Sequence, residues 1–317
     1  MRRLPVGVIG VGALGRHHAR HVARLPDAEL VGVHDTDAAR GQEIAQANGT
    51  SFFADLDGLL DRVEAVTVAV PTPDHATIGL RALARGRAVL MEKPLAASLA
   101  EADALLAASS RSGAPLFVGH IERFNRAVRA AEPYLGEVRY FESTRLAPFQ
   151  PRGADVAVIL DLMIHDLDLV LHLSRGSPAV EVRASGVAVL TPHVDIVNSR
   201  VEFGSGAVAN ITASRVARER VRKLRLFQPN GYFSLDLAAG TGVFMRLRSD
   251  RPANGALNLE EIVEVIPLAA PEQDALGEEI RSFVRSVRGE EAAVVSGSEG
   301  RAALELALRV GEAVKPG

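Results

Sequence analysis

The sequence contains no cysteine and no tryptophan. The first absence excludes disulfides, thiolate zinc sites and a cysteine nucleophile together, and it fits a reducing cytoplasm. Aromatic residues make up only 4% of the chain, too few for a platform that stacks the bases of single-stranded nucleic acid. A basic surplus is also missing. The formal net charge is −3, which speaks against a general nucleic-acid binder. No apolar run approaches the roughly 18 residues of a membrane-spanning helix. Lysine is scarce too: of 36 basic residues only Lys93, Lys223 and Lys315 are lysines. In a chain that uses arginine almost everywhere, a lysine marks a place where arginine's permanent charge does not serve.

What is present is a globular composition, 47% hydrophobic and 24% charged over 317 residues, which suits two domains. Met1-Arg2-Arg3 followed by an apolar stretch resembles the start of a signal peptide, but Leu4 to Val11 is short and runs straight into glycines. Cleavage there would remove the first strand, so the chain is expected to be mature and cytoplasmic.

Residues 4–118 alternate between β-rich runs and helical stretches. The runs are 4–10, 28–35, 65–71, 88–94 and 114–120; the helical stretches are 13–25, 37–48, 74–85 and 98–112. Nearly continuous apolar strands alternating with helices predict a parallel sheet covered on both faces. Further on, 121–134 and 155–174 have helical spacing. Alternating strands follow at 138–146, 180–190, 195–203, 207–215 and 223–229, with a hairpin turn at 203–207 and helices at 272–288 and 297–314. The fold class is therefore an α/β N-terminal Rossmann domain, 1–120, plus an α+β C-terminal domain, 121–317, with a mostly antiparallel open sheet. A barrel-like sheet over 180–237 is the alternative, and the C-terminal helix is allowed to pack back on the first domain. An open sheet face implies a homodimer or homotetramer built through it.

Gly10-Val11-Gly12-Ala13-Leu14-Gly15 follows the first strand and opens a helix. Glycines there permit a tight turn and close approach of the backbone to a pyrophosphate, and the helix start supplies free N–H groups. Asp35 ends the second strand, 20 residues beyond Gly15, where a carboxylate accepts both ribose hydroxyls of a dinucleotide. It would repel a 2′-phosphate, so NAD is favoured over NADP, with Arg40 as a compensating charge. Glu92-Lys93-Pro94 ends the β-rich run at 88–94, on the edge of the sheet where ligands of such folds sit. The alternative for Lys93 is a surface lysine in a loop.

Four blocks taken together resemble the glucose–fructose oxidoreductase / inositol dehydrogenase / rhizopine catabolism (Gfo/Idh/MocA) family. They are GVIGVGALGRHHARHV at 7–22, VPTPDHATIGLRALARGRAVLMEKPLA at 70–96, GHIERFNRAV at 119–128 and DLMIHDLDLVLHL at 161–173. The resemblance implies that Gly10, Gly12, Ala13, Leu14 and Gly15 cradle the pyrophosphate and that Asp35 takes the adenosine ribose. It implies that Pro71, Thr72, Pro73 and His75 line the cofactor, that Glu92 and Lys93 bracket the nicotinamide end, and that Lys93 reaches substrate. Asp161 and His165 resemble the family's acid/base pair.

The spacing of that pair has its own physical sense. Positions four apart share a helix face, a histidine titrates near neutrality, and a carboxylate one turn away orients the ring. Asp168 and His172 continue the stripe. A solvated polar face and an Asp/His metal site are the alternatives, but no third ligand is evident nearby, so no metal is expected. In the family the junction at 119–125 contributes substrate contacts, which makes His120, Arg123 and Asn125 candidates, against a hinge with Asn125 as a helix cap. Residues 215–225 carry six basic residues against one acidic. Such a run is either solvated or, beginning at Arg215, a grip for a diphosphate. With its flanks it resembles a branch associated with UDP-N-acetylglucosamine 3-dehydrogenation.

The expected activity is NAD-dependent oxidation of a ring secondary alcohol of a sugar or nucleotide sugar to a ketone, with no nucleic-acid or membrane partner. A glycoside hydrolase that oxidises its substrate transiently and a non-catalytic dinucleotide sensor are the rivals.

Overall fold

The computed structural model describes residues 2–151, 153, 156–248, 258–292 and 295–314. The chain forms two compact units, one of residues 1–121 with 273–304 and one of 122–272 with 305–317.

In the first unit β1 (Leu4–Ile9), β2 (Ala28–His34), β3 (Ser51–Phe52), β4 (Ala65–Val68), β5 (Ala88–Glu92) and β6 (Leu116–Gly119) form a six-stranded sheet. The order is β3-β2-β1-β4-β5-β6 and every pair is parallel. The connections carry α1 (Gly15–Arg24), α2 (Ala38–Ala47), α3 (Leu56–Leu60), α4 (Thr72–Ala84) and α5 (Leu99–Ser112). Every residue of β4 and β5 is buried, which is why both read as apolar runs without alternation. α5 carries its boundaries in the sequence: Ser98 and Glu101 form a capping box, and Gly113 ends the helix at φ 71°. Strand order reverses between β1 and β4, the position where such sheets open a crevice beyond their carboxyl ends. The short elements β3 and α3 are not among the expected ones, being below the length at which periodicity shows.

In the second unit the expected helix over 121–134 is broken. A 3₁₀ turn (Ile121–Phe124) precedes α6 (Arg126–Ala131), and another (Glu132–Tyr134) follows it. Asn125 starts α6 by accepting from the Ala127 N–H, and Pro133 has no N–H to continue it. β7 (Tyr140–Leu146) leads to a π-helical turn (Ile159–Met163) that runs into α7 (Ile164–Leu173). Residue 155, the first of the helix expected there, lies outside the described residues.

β8 (Ala179–Val187), β9 (Ile196–Phe203), β10 (Val208–Ser214), β11 (Val221–Gln228), β12 (Gly231–Asp236), β13 (Thr241–Leu247) and β14 (Val263–Leu268) complete an open eight-stranded sheet, with α8 (Leu259–Ile262) before β14. Its order is β14-β13-β12-β11-β7-β10-β9-β8, so the barrel alternative is set aside. All neighbours are antiparallel except β7 and β10. Burial alternates along β7 and β9, one face of each strand packed and the other open. On the packed face the cross-strand pair Phe233 and Phe244 stacks with ring centroids 4.2 Å apart.

A single cut after residue 120 does not describe the two units, because 273–304 belong to the first. The reason is α9 (Ala275–Val287), whose Leu276, Ile280, Phe283 and Val284 recur at helical spacing. They join Ala19, Val22 and Leu25 of α1 and Phe117 of β6 in one buried cluster. α10 (Gly297–Ala313) follows, and its residues divide between the units at 304/305. The Phe283 ring meets Phe117 edge-on at 5.3 Å. Phe283→Ala is expected to destabilise the first unit by about 3–5 kcal/mol. Urea unfolding of the full chain checks this, and a loss under about 1 kcal/mol would contradict the packing role of α9.

Candidate active site

The loop after β1 is shaped by two glycines. Gly10 has φ 79°, and a Cβ on Gly15 would lie 1.7 Å from the Gly10 carbonyl oxygen, so the turn closes only with glycine at both places. A Cβ on Gly12 would meet nothing within 4 Å, which leaves that side of the loop open to a ligand. No side chain caps α1 at Leu14. The Gly12 and Leu14 carbonyls already accept from N–H groups of the first turn, at Arg16 and His17. An uncapped helix start behind a glycine cradle is a place for an anion.

Asp35 lies just past β2 and is buried. Its Oδ2 accepts from the Val11 N–H at 2.8 Å, which joins it to the glycine loop, and its Oδ1 accepts from the Asp37 N–H at 2.8 Å. Arg40 donates to both oxygens, at 3.1 and 2.6 Å. Burial alone would raise the pKa of Asp35; the Arg40 guanidinium and the two backbone donors outweigh it and hold the carboxyl below its usual range. The group is an anion beside the glycine loop, and Arg40 is engaged by Asp35 itself.

After β4, Pro71 precedes α4, with Thr72 and Pro73 in its first turn; Pro71 and Pro73 are exposed. His75 differs from its expected role. It is 1% exposed, with Nδ1 2.9 Å from the Pro94 carbonyl and Nε2 3.0 Å from the Val70 carbonyl. Burial lowers its pKa against the pull of those carbonyls. His75 therefore braces the loops after β4 and β5 from beneath and does not present its ring to a cofactor.

Glu92 is the last residue of β5 and is buried. Its Oε1 lies 3.0 Å from Nε2 of His18, which is 0% exposed on α1, and its Oε2 accepts from the Lys93 N–H at 3.3 Å. Burial would raise the pKa of Glu92, but the bond to His18 and the charge of Lys93 reverse this and lower it. Lys93 itself is half-buried, and the Lys93–Pro94 peptide is cis. His18 is the residue the sequence reading missed. It stands three positions after Gly15, on the inward side of an amphipathic helix, and looks like an ordinary core position.

In the second unit Asp161 sits in the π-helical turn and His165 in the first turn of α7, both half-buried. The turn replaces the plain α-helix expected under this pair, and such turns recur at functional sites. The stripe does not continue. Asp168 is 1% exposed and takes two hydrogen bonds from Arg123, at 2.6 and 2.8 Å, while His172 is exposed.

The junction and basic-run candidates are mostly engaged in structure. Arg123 is 2% exposed in the pair with Asp168. Asn125 caps α6 through Oδ1, and its amide donates to Glu122 and to the Leu237 carbonyl, both at 2.8 Å. His120 is 0% exposed. Arg215 is 4% exposed, donates to the Gly153 and Val156 carbonyls and lies 3.4 Å from Asp195. These four were substrate candidates because their side chains carry donors. His120, Arg123 and Arg215 are buried, Asn125 is half-buried, and Arg123, Asn125 and Arg215 have the partners named here. Around them the reading also missed Arg145, which pairs with Asp166 at 2.5 Å and Glu122 at 2.9 Å, and Ser143, which donates to Asp166 at 2.8 Å. Asp166 and Glu122 more than reverse the effect of burial and raise the pKa of Arg145. Among the described residues no group of three or more acidic, histidine or cysteine side chains is placed to hold a metal ion.

A parallel sheet, a glycine cradle at an uncapped helix start and an ionised acid after the second strand define a dinucleotide-binding protein. The comparisons agree. Residues 4–120 match the oxidoreductase family with an NAD-binding Rossmann fold, and residues 127–234 match the GFO/IDH/MocA C-terminal domain. The chain belongs to the Gfo/Idh/MocA family and is an NAD-dependent oxidoreductase. It is 38% identical to a UDP-N-acetylglucosamine 3-dehydrogenase of Acidithiobacillus ferrooxidans, over 99% of this chain and 98% of that protein. A solved structure of that enzyme superposes with a TM-score of 0.90 at 37% identity, covering 99% and 98% of the two chains. A myo-inositol 2-dehydrogenase of Thermotoga maritima is 26% identical over 95% of this chain and 93% of its own. These relatives are dehydrogenases and lend nothing to the hydrolase or sensor alternatives. No helix of the described residues is long and apolar enough to cross a membrane.

Asp35→Ala is expected to weaken NAD by roughly 10–100-fold, the effect of losing charge-assisted hydrogen bonds to both ribose hydroxyls. The same change releases Arg40 from Asp35, leaving its contact with Asp37, and narrows the gap between NAD and NADP. Titration of both dinucleotides checks this, and an unchanged NAD affinity would remove Asp35 from the site.

Proposed function

We propose that the chain oxidises a ring secondary alcohol of a nucleotide sugar to a ketone, with UDP-N-acetylglucosamine as substrate and the C3 hydroxyl as the reacting group. The observation that carries this reading is the full-length similarity to a UDP-N-acetylglucosamine 3-dehydrogenase, in a chain that has Lys93, Asp161 and His165.

Gly10, Gly12, Ala13, Leu14 and Gly15 hold the pyrophosphate and Asp35 the adenosine ribose. Bound NAD supplies the hydride acceptor, which no side chain of this protein can replace. The protein's own work is to orient the sugar and to move a proton. His165 or Lys93 takes the proton from the hydroxyl as its carbon gives up hydride, and Asp161 orients the imidazole. Lys93 suits this because an ammonium can lose its proton where a guanidinium cannot. The diphosphate of the substrate falls to Arg218 and Arg220, which are exposed and have no carboxylate partner among the described residues, whereas Arg215 is engaged elsewhere. The reading places the enzyme in the cytoplasm.

The unpacked face of the eight-stranded sheet is assigned to a second copy of the chain. It carries Tyr140, Phe227 and Tyr232 as a row of aromatic contacts, at 5.6 and 5.3 Å, and Val265 at 57% exposure. Apolar rings on an open face favour burial against a like surface.

NADH absorbance with UDP-N-acetylglucosamine, set against free hexosamines and inositols, tests the substrate. Lys93→Met and His165→Ala are each expected to lower kcat by about 10²–10⁴-fold while NAD still binds. Near-normal turnover in either variant would take that residue out of the proton-handling role, and turnover of free inositols alone would overturn the nucleotide-sugar assignment.

A further inference from the structure

Arg215 directly follows β10 and Asp195 directly precedes β9, and both are buried, at 4% and 0% exposure. The sheet sets their places. β9 and β10 pair as far as Ile196 and Ser214, and the Arg215 N–H extends the ladder to the Asp195 carbonyl at 3.0 Å. The Asp195 carboxylate accepts from the N–H groups of Val189, Leu190 and Thr191 and from the Thr191 hydroxyl. Arg215 Nε lies 3.4 Å from its Oδ1. The two terminal nitrogens of the same guanidinium donate to the Gly153 and Val156 carbonyls. Every nitrogen of the planar fork therefore faces a partner.

Gly153 and Val156 stand just before the π-helical turn that carries Asp161. Gly153 has φ 81°, and a Cβ there would lie 2.9 Å from Asp161 Oδ2, 3.1 Å from its carboxyl carbon and 3.3 Å from Oδ1. The glycine backbone thus rests against that carboxyl with no room for a side chain between them. Two residues beyond Val156, the Val158 N–H donates to the Val194 carbonyl at 2.9 Å, beside Asp195 in the chain. The entry to the turn is therefore fastened at 153, 156 and 158 to residues at the ends of β9 and β10. Connecting segments are ordinarily the mobile parts of a fold. A buried cation held on two of its carbonyls ties this one down.

We propose that Arg215 is a positioning residue for Asp161: its guanidinium, anchored on Asp195, holds Gly153 against the Asp161 carboxyl and so sets where that carboxyl points. This rests on the role given to Asp161 above. Gripping the diphosphate of a substrate is the other task an arginine here can have, and the two differ in kinetics. A diphosphate grip acts on KM, and a lysine keeps much of it. A positioning fork acts on kcat, and a lysine, a point donor on a flexible stem, does not span two carbonyls. Replacing Arg215 does not strand Asp195, which keeps three backbone N–H groups and a hydroxyl.

The test uses the full-length protein and two independent readouts. The first is steady-state kinetics with NAD and UDP-N-acetylglucosamine. Arg215→Met and Arg215→Lys are each expected to lower kcat about 10–100-fold with KM and NAD affinity little changed. Gly153→Ala, which pushes on the carboxyl directly, is expected to do the same. Because these losses run through one carboxyl, none adds to the loss caused by Asp161→Asn when the two changes are combined. A raised KM in Arg215→Met with kcat kept, and Arg215→Lys near wild type, would overturn the proposal in favour of the diphosphate grip. Full additivity with Asp161→Asn would overturn it in favour of general packing. The second readout needs neither cofactor nor turnover: amide hydrogen exchange read by mass spectrometry. Exchange over 158–163 is expected to be about 10-fold faster in Arg215→Met and little changed at 189–191, whose N–H groups Asp195 still holds. Unchanged exchange over 158–163 would also overturn the proposal. A wild-type protein that oxidises no sugar, or normal turnover in Asp161→Asn, would defeat the functional reading alone, since exchange still decides whether Arg215 holds the segment. If Arg215→Met does not fold, Arg215→Lys carries the same comparisons.

Discussion

A carboxylate taken out of water has to be met by donors, and that requirement decides which polar residues of this chain are available for chemistry. Asp35, Glu92, Glu122, Asp166, Asp168 and Asp195 are all buried. Each is answered: Asp35 by Arg40 and two backbone N–H groups, Glu92 by His18, Asp166 and Glu122 by Arg145, Asp168 by Arg123. Asp195 accepts from the N–H groups of Val189, Leu190 and Thr191, which outweigh burial and lower its pKa to about 2. Such pairs add little net stability against an apolar core, but losing one partner strands the other, at a cost of about 3–5 kcal/mol. They fix geometry.

The consequence differs between the two units. In the first, the buried acids Asp35 and Glu92 stand where the parallel strands end. Asp35 is tied by one oxygen to the glycine loop, and Glu92 is tied to the helix that the same loop opens. In the second, the acids of α7 and the arginines of β7 and the 121–124 turn cross-link helix to sheet. Asp161 and His165 lie in and beside a π-helical turn.

Much of this was legible in the sequence because it rests on local rules. The parallel sheet follows from apolar runs and helical spacing, the cradle from Gly10, Gly12 and Gly15 in strand–helix context, and Asp35 from its distance to them. The capping of α6 by Asn125 was one of two readings, and the structure selects it. What sequence could not give is the identity of partners distant along the chain. Arg123 with Asp168, Arg145 with Asp166 and His18 with Glu92 are separated by 45, 21 and 74 positions. No periodicity reports such pairs, so the carboxylate partner of a donor such as Arg123 could not be read from the sequence. The strands at 231–236, 241–247 and 263–268 were likewise unmarked, and the return of 273–304 to the first unit depends on which core α9 meets.

The central claim, hydride removal from a ring carbinol by a site built on this framework, is tested most directly by isotope transfer. UDP-N-acetylglucosamine carrying deuterium at C3 is incubated with the protein and NAD, and the reduced dinucleotide is analysed by mass spectrometry and proton NMR. The account predicts that the deuterium appears in the reduced nicotinamide and that the sugar product is a ketone at the same carbon. Reduced dinucleotide without deuterium, or release of free sugar with no net reduced dinucleotide, would contradict it.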